Sequence, residues 1–410
     1  MRQYREILTI PGALKFSAAG LLARSGGAMM GIGTVLMVSA LYGSYALAGA
    51  LVAVNSVCWA IGTAVLSNLV DRFGQRRVMY RATIVSALML AILVVFAVMR
   101  LPAWALLPPT IIGAGTGGAP GALVRARWNF VVKDPHQLQT AYSLESVLDE
   151  LTFVVGPVVA TLLSTQVHPA AGLVAPIVLS LVGAQLFYSQ RATEPPPVPV
   201  THAERARSSF WSRLVVAVPG VGPVIGVNLL IGCVFGSIDV SVVAGTTEWG
   251  VRGASGVVLA VFSLASGLAG LLYGSRAWGW SLPGRFLAGV VALFASSVGL
   301  IWADSVLVLG GIGILFGATI APTLINGNSL VGRLVPQGRL TEGLAWMGTG
   351  IGIGASIGSS VSGAVIDVSG YHGGFLVVVA FSALTALLAL ASSSVLRRAV
   401  AHREERGHEA

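Results

Sequence analysis

The sequence predicts an all-α integral membrane protein, with twelve transmembrane helices in two pseudo-symmetric six-helix bundles. Three observations carry that expectation. Hydrophobic residues make up 55% of the 410-residue chain and charged residues only 10%, too little charge to cover a water-soluble protein of this size. Apolar runs of membrane-spanning length recur from one end to the other. The basic residues fall singly or in small groups between those runs, as the enrichment of Lys and Arg in cytoplasmic loops requires.

In chain order, the first six spans are expected at 13–40, 45–70, 78–99, 104–125, 139–165 and 171–190. The second six are expected at 219–245, 252–275, 284–303, 305–331, 340–366 and 372–396. Several exceed the roughly 20 residues that cross a hydrocarbon core, so tilt or extension beyond the membrane is expected. The one long hydrophilic connection follows the sixth span. It opens with Glu194-Pro195-Pro196-Pro197-Val198-Pro199, a stiff, extended composition. From His202 to Arg213 it turns arginine-rich around Phe210 and Trp211, the composition of a helix lying on a membrane surface. The expected organisation is an N-terminal bundle (1–190), a cytoplasmic linker (191–218) and a C-terminal bundle with a short basic tail (219–410).

Orientation follows from the 25 Lys and Arg residues. Arg24 lies inside a span, and Arg100 and Arg252 lie in loops of one parity; all the others lie at the termini, in the linker or in loops of the opposite parity. That bias places both termini in the cytoplasm. The net charge of +9 is therefore a topological signal and not a nucleic-acid footprint. The stretch Met1-Arg2-Gln3-Tyr4-Arg5-Glu6 has no apolar core with a cleavage site, so the first span is expected to direct insertion. Cys58 and Cys233 fall in separate apolar spans and are expected to be free, buried thiols. An offset of 202 residues carries Ala119-Pro120 onto Ala321-Pro322, Leu138 onto Leu340 and Gly156 onto Gly358, which supports matching helix lengths in two parallel halves.

Between the second and third spans stands Ser67-x-x-x-Asp71-Arg72-Phe73-Gly74-Gln75-Arg76-Arg77, a tight loop with one acid and three arginines. It resembles the signature of the major facilitator superfamily, commonly written G-x-x-x-D-R-x-G-R-R. Serine replaces the opening glycine here, and glutamine replaces the first of the later basic residues. Gly156-Pro157 in the fifth span resembles part of the signature of drug-efflux exporters in that superfamily, with Ala160-Thr161 where a glycine pair is often found. The stretches 125–128 and 145–150 are similar to uncharacterised actinobacterial members. The resemblance implies alternating access, with a cavity lined by the first, fourth, seventh and tenth helices. It also implies a gate at the loop, where Asp71, Arg72, Gly74, Arg76 and Arg77 stabilise the outward-facing state, Asp71 capping a helix or pairing with arginines. On spacing alone the same arginines serve equally as insertion anchors.

Charge inside a bilayer costs about 2.5–3.5 kcal/mol per residue on insertion scales, so each case needs a reason. Arg24 stands nine residues beyond Lys15, about 14 Å deeper at 1.5 Å per residue. Asp149 reaches a similar depth, ten residues beyond Gln139. Glu145 and Asp149 share a helix face, and Glu150 points about 100° away. Two readings stay open: Asp149 or Glu145 exchanges a proton under the influence of Arg24, or the three form a permanent bridge between helices. Asp239, alone in the seventh span, is a candidate for a cationic substrate, for a proton or for a solvated wall. Asp367, Asp304 and Glu248 are expected at outer helix ends, and Glu342 at a helix N-terminus. Gly156-Pro157 is expected to kink the fifth helix. The run Gly348, Gly350, Gly352, Gly354 and Gly358 fits either a mobile interface between halves or plain close packing.

Gly113-x-Gly115-x-x-Gly118 matches a dinucleotide fingerprint but lies inside an apolar span with no preceding strand. Gly354-x-Ser356-x-Gly358 matches a nucleophile elbow without the strand-to-helix turn such an elbow needs. The six histidines are scattered through loops and tails, which argues against a metal cluster, and no phosphate-cradling loop occurs. No cofactor and no metal are expected, and an enzyme or a non-transporting receptor is disfavoured. The expectation is a monomeric secondary transporter in the lipid bilayer, exporting a small organic or drug-like molecule in exchange for protons. Trp59, Trp346 and Met347 lean that way. Asn228, Asn326 and Asn328 lean toward the alternative, proton-linked uptake of a sugar or organic acid.

Overall fold

The computed structural model describes residues 2–197, 215–251 and 254–408. A short helix, α1 (Arg2–Leu8), precedes the first crossing, α2 (Ala13–Tyr42), and is followed by α3 (Tyr45–Phe73) and α4 (Gln75–Val98). The fourth crossing is split into α5 (Leu107–Gly115) and α6 (Pro120–Val131); α7 (Pro135–Gln166) and α8 (Ala171–Ser189) complete the first half. The second half comprises α9 (Val221–Glu248), α10 (Ser255–Gly274), α11 (Leu282–Val298), α12 (Val306–Leu334), α13 (340–369) and α14 (371–408), the last two meeting at Gly370. The described residues thus cross twelve times, in two six-helix bundles. Residues 198–214, which include the surface helix expected from His202 to Arg213, and Arg252 lie outside the described residues.

Local chemistry sets the boundaries. The Ser44 hydroxyl accepts from the Leu47 amide to start α3, and the Asp134 carboxylate accepts from the Gln137 amide to start α7 just before Pro135. Each satisfies an amide that the first helical turn cannot. Gly74 (φ +90°) turns α3 directly into α4, and Gly370 (φ +66°) turns α13 into α14, conformations that cost a side chain strain and glycine little.

The expected continuous fourth span, 104–125, is corrected to two helices broken at 116–119. Pro120 cannot continue α5, and Gly118 adopts φ +68°. The Trp59 indole donates to the Gly118 carbonyl at 2.8 Å, so part of the opened backbone is satisfied inside the apolar layer, as such a break requires. The same offset that aligns the halves puts Pro322 inside an unbroken α12, so the break belongs to the first half alone. Pro157 likewise lies inside α7, which runs from Pro135 to Gln166.

Within each half, a glycine brings the fifth helix against the first. A Cβ at Gly156 would stand 3.2 Å from the Cβ of Ala28 on α2. Its counterpart Gly358 lies against the Cys233 carbonyl on α9, and Gly354, Gly232 and Gly236 extend that contact backbone to backbone. Ser237 donates to the Gly358 carbonyl at 3.0 Å across it. The glycine run of α13 therefore serves mainly close packing inside the second half, the arrangement small residues permit in a membrane. Cys233 is buried and Cys58 half-buried, and both are free.

The two halves touch at the end that carries the linker. There α3 and α6 meet α13, and α7 meets α10 and α12. Residues 139–143, 145 and 146 of α7, 122–128 of α6 and 341–345 of α13 are buried on every face. Beyond that depth Leu151, Phe153, Val155 and Val158 of α7, and Ile353, Ile357 and Val361 of α13, are exposed. The change from all-round to one-sided burial marks the level where the halves part.

Gly236→Val should destabilise the protein by about 1–3 kcal/mol through overpacking, because its side chain would run into the Ala355 backbone. Gly363→Ala, with nothing within 4 Å of its added carbon, should be neutral or stabilising. Thermal unfolding in detergent checks both; equal melting temperatures would contradict the α9–α13 packing.

Candidate functional site

At the level where the halves part, α2, α6 and α7 bring two guanidinium groups and two carboxylates together. Arg24 donates from Nη2 to Glu145 Oε2, and its Nη1 lies 3.0 Å from Asp149 Oδ1. Arg125 donates from Nη2 to Asp149 Oδ2 at 2.7 Å and from Nη1 to the Gly121 carbonyl at 3.3 Å. The second Glu145 oxygen accepts from the Ser17 hydroxyl at 2.6 Å and from the Trp128 indole at 2.7 Å. Glu145 is fully enclosed, whereas the Asp149 side chain is 28% exposed. The four charges sum to zero, so the cluster tolerates burial that none of its members would tolerate alone.

Sequence reasoning placed Arg24, Glu145 and Asp149 together, and they meet. It missed Arg125 and Trp128, because the fourth span was drawn as continuous and ending at 125, which put Arg125 at its end and Trp128 in the loop beyond. The Pro120 break turns α6 so that Arg125 and Trp128 face α7. The cluster also has no partner in the second half: the offset that aligns the halves carries Glu145 onto Met347 and Asp149 onto Ile351.

The loop at the end of α3 forms a second, separate constellation. Asp71 accepts from the Thr341 amide at 3.2 Å and the Glu342 amide at 3.0 Å, capping α13 of the opposite half at the positive end of its dipole. Glu342 accepts from Asn68 at 3.2 Å, from Arg339 at 3.2 Å and from the Val215 amide at 3.1 Å. Beside it, Arg127, fully buried, donates to Gln75 at 2.9 Å, to the Gln190 carbonyl at 2.9 Å and to Thr193 at 3.0 Å, and stacks on Phe187. Glu194 accepts from the Arg76 amide at 2.9 Å and closes over Gly74, while Arg77 stands over the Phe73 ring. Arg72 lies next to the capping carboxylate in sequence, and its Nε is buried.

The α7–α10 side closes in parallel. Thr140 donates to the Gly274 carbonyl at 2.7 Å, Gln139 to the Tyr273 carbonyl at 3.3 Å and Arg285 to Gln139 at 2.5 Å. Tyr4 of α1 reaches across to donate to the Leu271 carbonyl at 2.6 Å. Burial pushes the Tyr4 hydroxyl up to about 12, against the opposing effect of its hydrogen bond with Ser143, so it remains a donor at every physiological pH.

The remaining expected residues are dispersed. Asp239 is exposed on α9, with no ion-pair partner among the described residues. Asp304 and Asp367 are exposed at the end opposite the linker, and Glu248 there accepts from the Tyr371 amide at 2.9 Å. Gly113 packs on Leu90 and Gly115 lies against Gly62, so the fingerprint-like glycines serve packing. Of the residues weighed for substrate character, Met347, Asn228 and Asn326 are buried, Trp59, Trp346 and Asn328 are half-buried, and the Trp59 indole donates to Gly118.

Asp71→Ala removes the acceptor of two amides and should weaken the seam by about 1–3 kcal/mol. With Cys58→Ser and Cys233→Ala in the background, Ala126→Cys reports on it, since Ala126 is buried in the seam beside Asp71. Its thiol-labelling rate should rise about tenfold or more in the Asp71→Ala protein, each 1.4 kcal/mol counting for a factor of ten. Unchanged labelling would show that the cap does not hold the seam.

A sequence search finds no family model and no curated protein that matches this chain. Solved structures are similar in fold. A bacterial homologue of the iron transporter ferroportin in its outward-facing state superposes with TM-score 0.72 and 15% identity, over 93% of this chain and 99% of that one. The Escherichia coli fucose:proton symporter FucP gives 0.69 and 13%, over 93% and 98%. The human organic anion transporter MFSD10 gives 0.67 and 14%, over 94% and 99%. A further structure of FucP is described as a major facilitator superfamily transporter in the outward conformation. This chain therefore has the twelve-helix fold of major facilitator superfamily transporters.

Proposed function

We propose that the protein is a secondary active transporter that works by alternating access, and that this structure is its outward-open state. The reading rests on one observation above all: contact between the halves is confined to the linker end, and the helices part at the depth of a neutral four-charge cluster. The linker end carries nearly all the loop arginines, so it is the cytoplasmic end. Residues 1–190 and 219–410 are the rocking units, and 191–218 joins them in the cytoplasm. The similarity in fold to the fucose:proton symporter and the organic anion transporter supports carriage of a small molecule.

In this reading Asp71 and its loop, with Arg72, Gly74, Arg76 and Arg77, are the cytoplasmic gate. The cap on α13 is made when that end is closed and lost when it opens. Arg24, Glu145 and Asp149 set the charge and shape of the pocket floor, and the partly exposed Asp149 is the member substrate can reach. Asp239 offers an unpaired carboxylate on the facing half. Coupling is to protons, and the direction is export of a small organic, drug-like compound across a bacterial plasma membrane. The protein works as a monomer without a cofactor.

Accumulation of a fluorescent drug such as ethidium in energised cells tests this. Cells expressing the protein should accumulate less than controls, a protonophore should remove the difference, and Arg24→Gln should remove it too while the protein remains in the membrane. A protonophore-sensitive rise in accumulation would point to uptake instead. No effect of expression on ethidium, or on sugars and organic acids in the same assay, would overturn transport.

A further inference from the structure

Glu150 is the one carboxylate of α7 that the cluster does not use. Arg24 and Arg125 are balanced by Glu145 and Asp149, so neutralising them does not require Glu150. It stands halfway along the 32 residues of α7 and points away from them, across the boundary between the halves. Its Oε1 accepts from the hydroxyl of Ser266 at 2.8 Å, and Ser266 is fully buried on α10.

Below that hydrogen bond the α7–α10 seam is built from small residues. Added carbons at Gly267 and Gly270 would meet Val147, and Gly274 lies against Ser143. Above it the seam ends, with Leu151 and Phe153 already exposed. Glu150 thus occupies the boundary between a closed interface and an open cleft. No cation faces it. Among the described residues α10 carries no charged side chain, α12 carries only Arg333 in its last turn, and the neighbouring Asp149 is held by Arg24 from α2 and Arg125 from α6.

We propose that Glu150 takes up and releases the proton as the halves rock, and that its hydrogen bond to Ser266 is the inter-half contact its charge controls. The proposal rests on the transport reading above. With the cleft open, cleft water solvates the ionised carboxylate and the Ser266 hydroxyl donates to it. Closing the cleft encloses the carboxylate between α7 and α10, where an ionised group partnered by the serine hydroxyls of Ser266 and Ser263 and by no cation is costly. One proton from cleft water bonds to a carboxylate oxygen, giving a neutral acid that fits the closed seam. When the linker end opens, the same O–H bond breaks and the proton leaves to water on that side.

Double electron–electron resonance on the full-length protein in nanodiscs tests this without a known substrate. Spin labels go on Met99→Cys and Trp302→Cys, both exposed at the end opposite the linker and one on each half, with Cys58→Ser and Cys233→Ala in the background. Between about pH 5 and pH 8.5, a range spanning buried carboxylates, two distance populations are expected, the shorter favoured by acid. Their ratio should change by up to about tenfold per pH unit for one linked proton. Glu150→Gln should show the acid distribution at every pH, while Glu150→Asp and Ser266→Ala should keep a response with a displaced midpoint. A wild-type response surviving in Glu150→Gln overturns the assignment, as do two wild-type populations whose ratio ignores pH. A single distance in every sample overturns the transport reading as well.

Discussion

A guanidinium at the depth of Arg24 has to be neutralised inside the bundle, and much of the first half is arranged around that need. Left to hydrocarbon it would cost several kcal/mol. It is instead clamped between Glu145 and Asp149 on α7, whose remaining oxygens are occupied by Ser17, Trp128 and Arg125. Buried ion pairs of this kind add little net stability, because desolvation offsets attraction, yet removing one member leaves an uncompensated charge. Their consequence is geometric: α2, α6 and α7 are held in one register, and the broken fourth crossing is what brings Arg125 and Trp128 to that register.

The same short helix links the cluster to the cytoplasmic seam. Within four residues α6 places Arg125 on Asp149, Trp128 on Glu145, and Arg127 on Gln75 and Thr193. Gln75 opens α4 immediately after Gly74, on the far side of the turn from Asp71, whose carboxylate caps α13. A displacement of α6 therefore acts on both the charge cluster and the loop that caps α13. The cap ties the acid of this loop to the opposite half, since its two partners are backbone amides of α13.

Much of the fold was legible in the sequence. Most span limits agreed with the helices to within a few residues, because apolar runs interrupted by charge have few competing explanations; the exceptions are the fourth, which is broken and runs on to Val131, and the last, which runs on to His408. The meeting of Arg24, Glu145 and Asp149 was legible too, since three charges at one depth must be reconciled. What could not be read was direction across the chain. Arg125 and Trp128 were invisible as site residues because a proline break, not periodicity, sets where α6 points. The contact of Glu150 with Ser266 depends on how two bundles abut, which no local pattern encodes. The glycine run of α13 carried an ambiguity that only packing resolves: Gly354 and Gly358 lie against α9 of their own half.

The central claim is that the halves are sealed below the level of Glu150 and parted above it. Single cysteines placed in turn along 139–166 of α7, reacted with a water-soluble maleimide in reconstituted membranes, measure that boundary directly. The account predicts no reaction at 139–147 and reaction beginning at 149 or beyond, recurring every three to four residues on one helix face. Equal reactivity below and above that level, or none at any position, would contradict it.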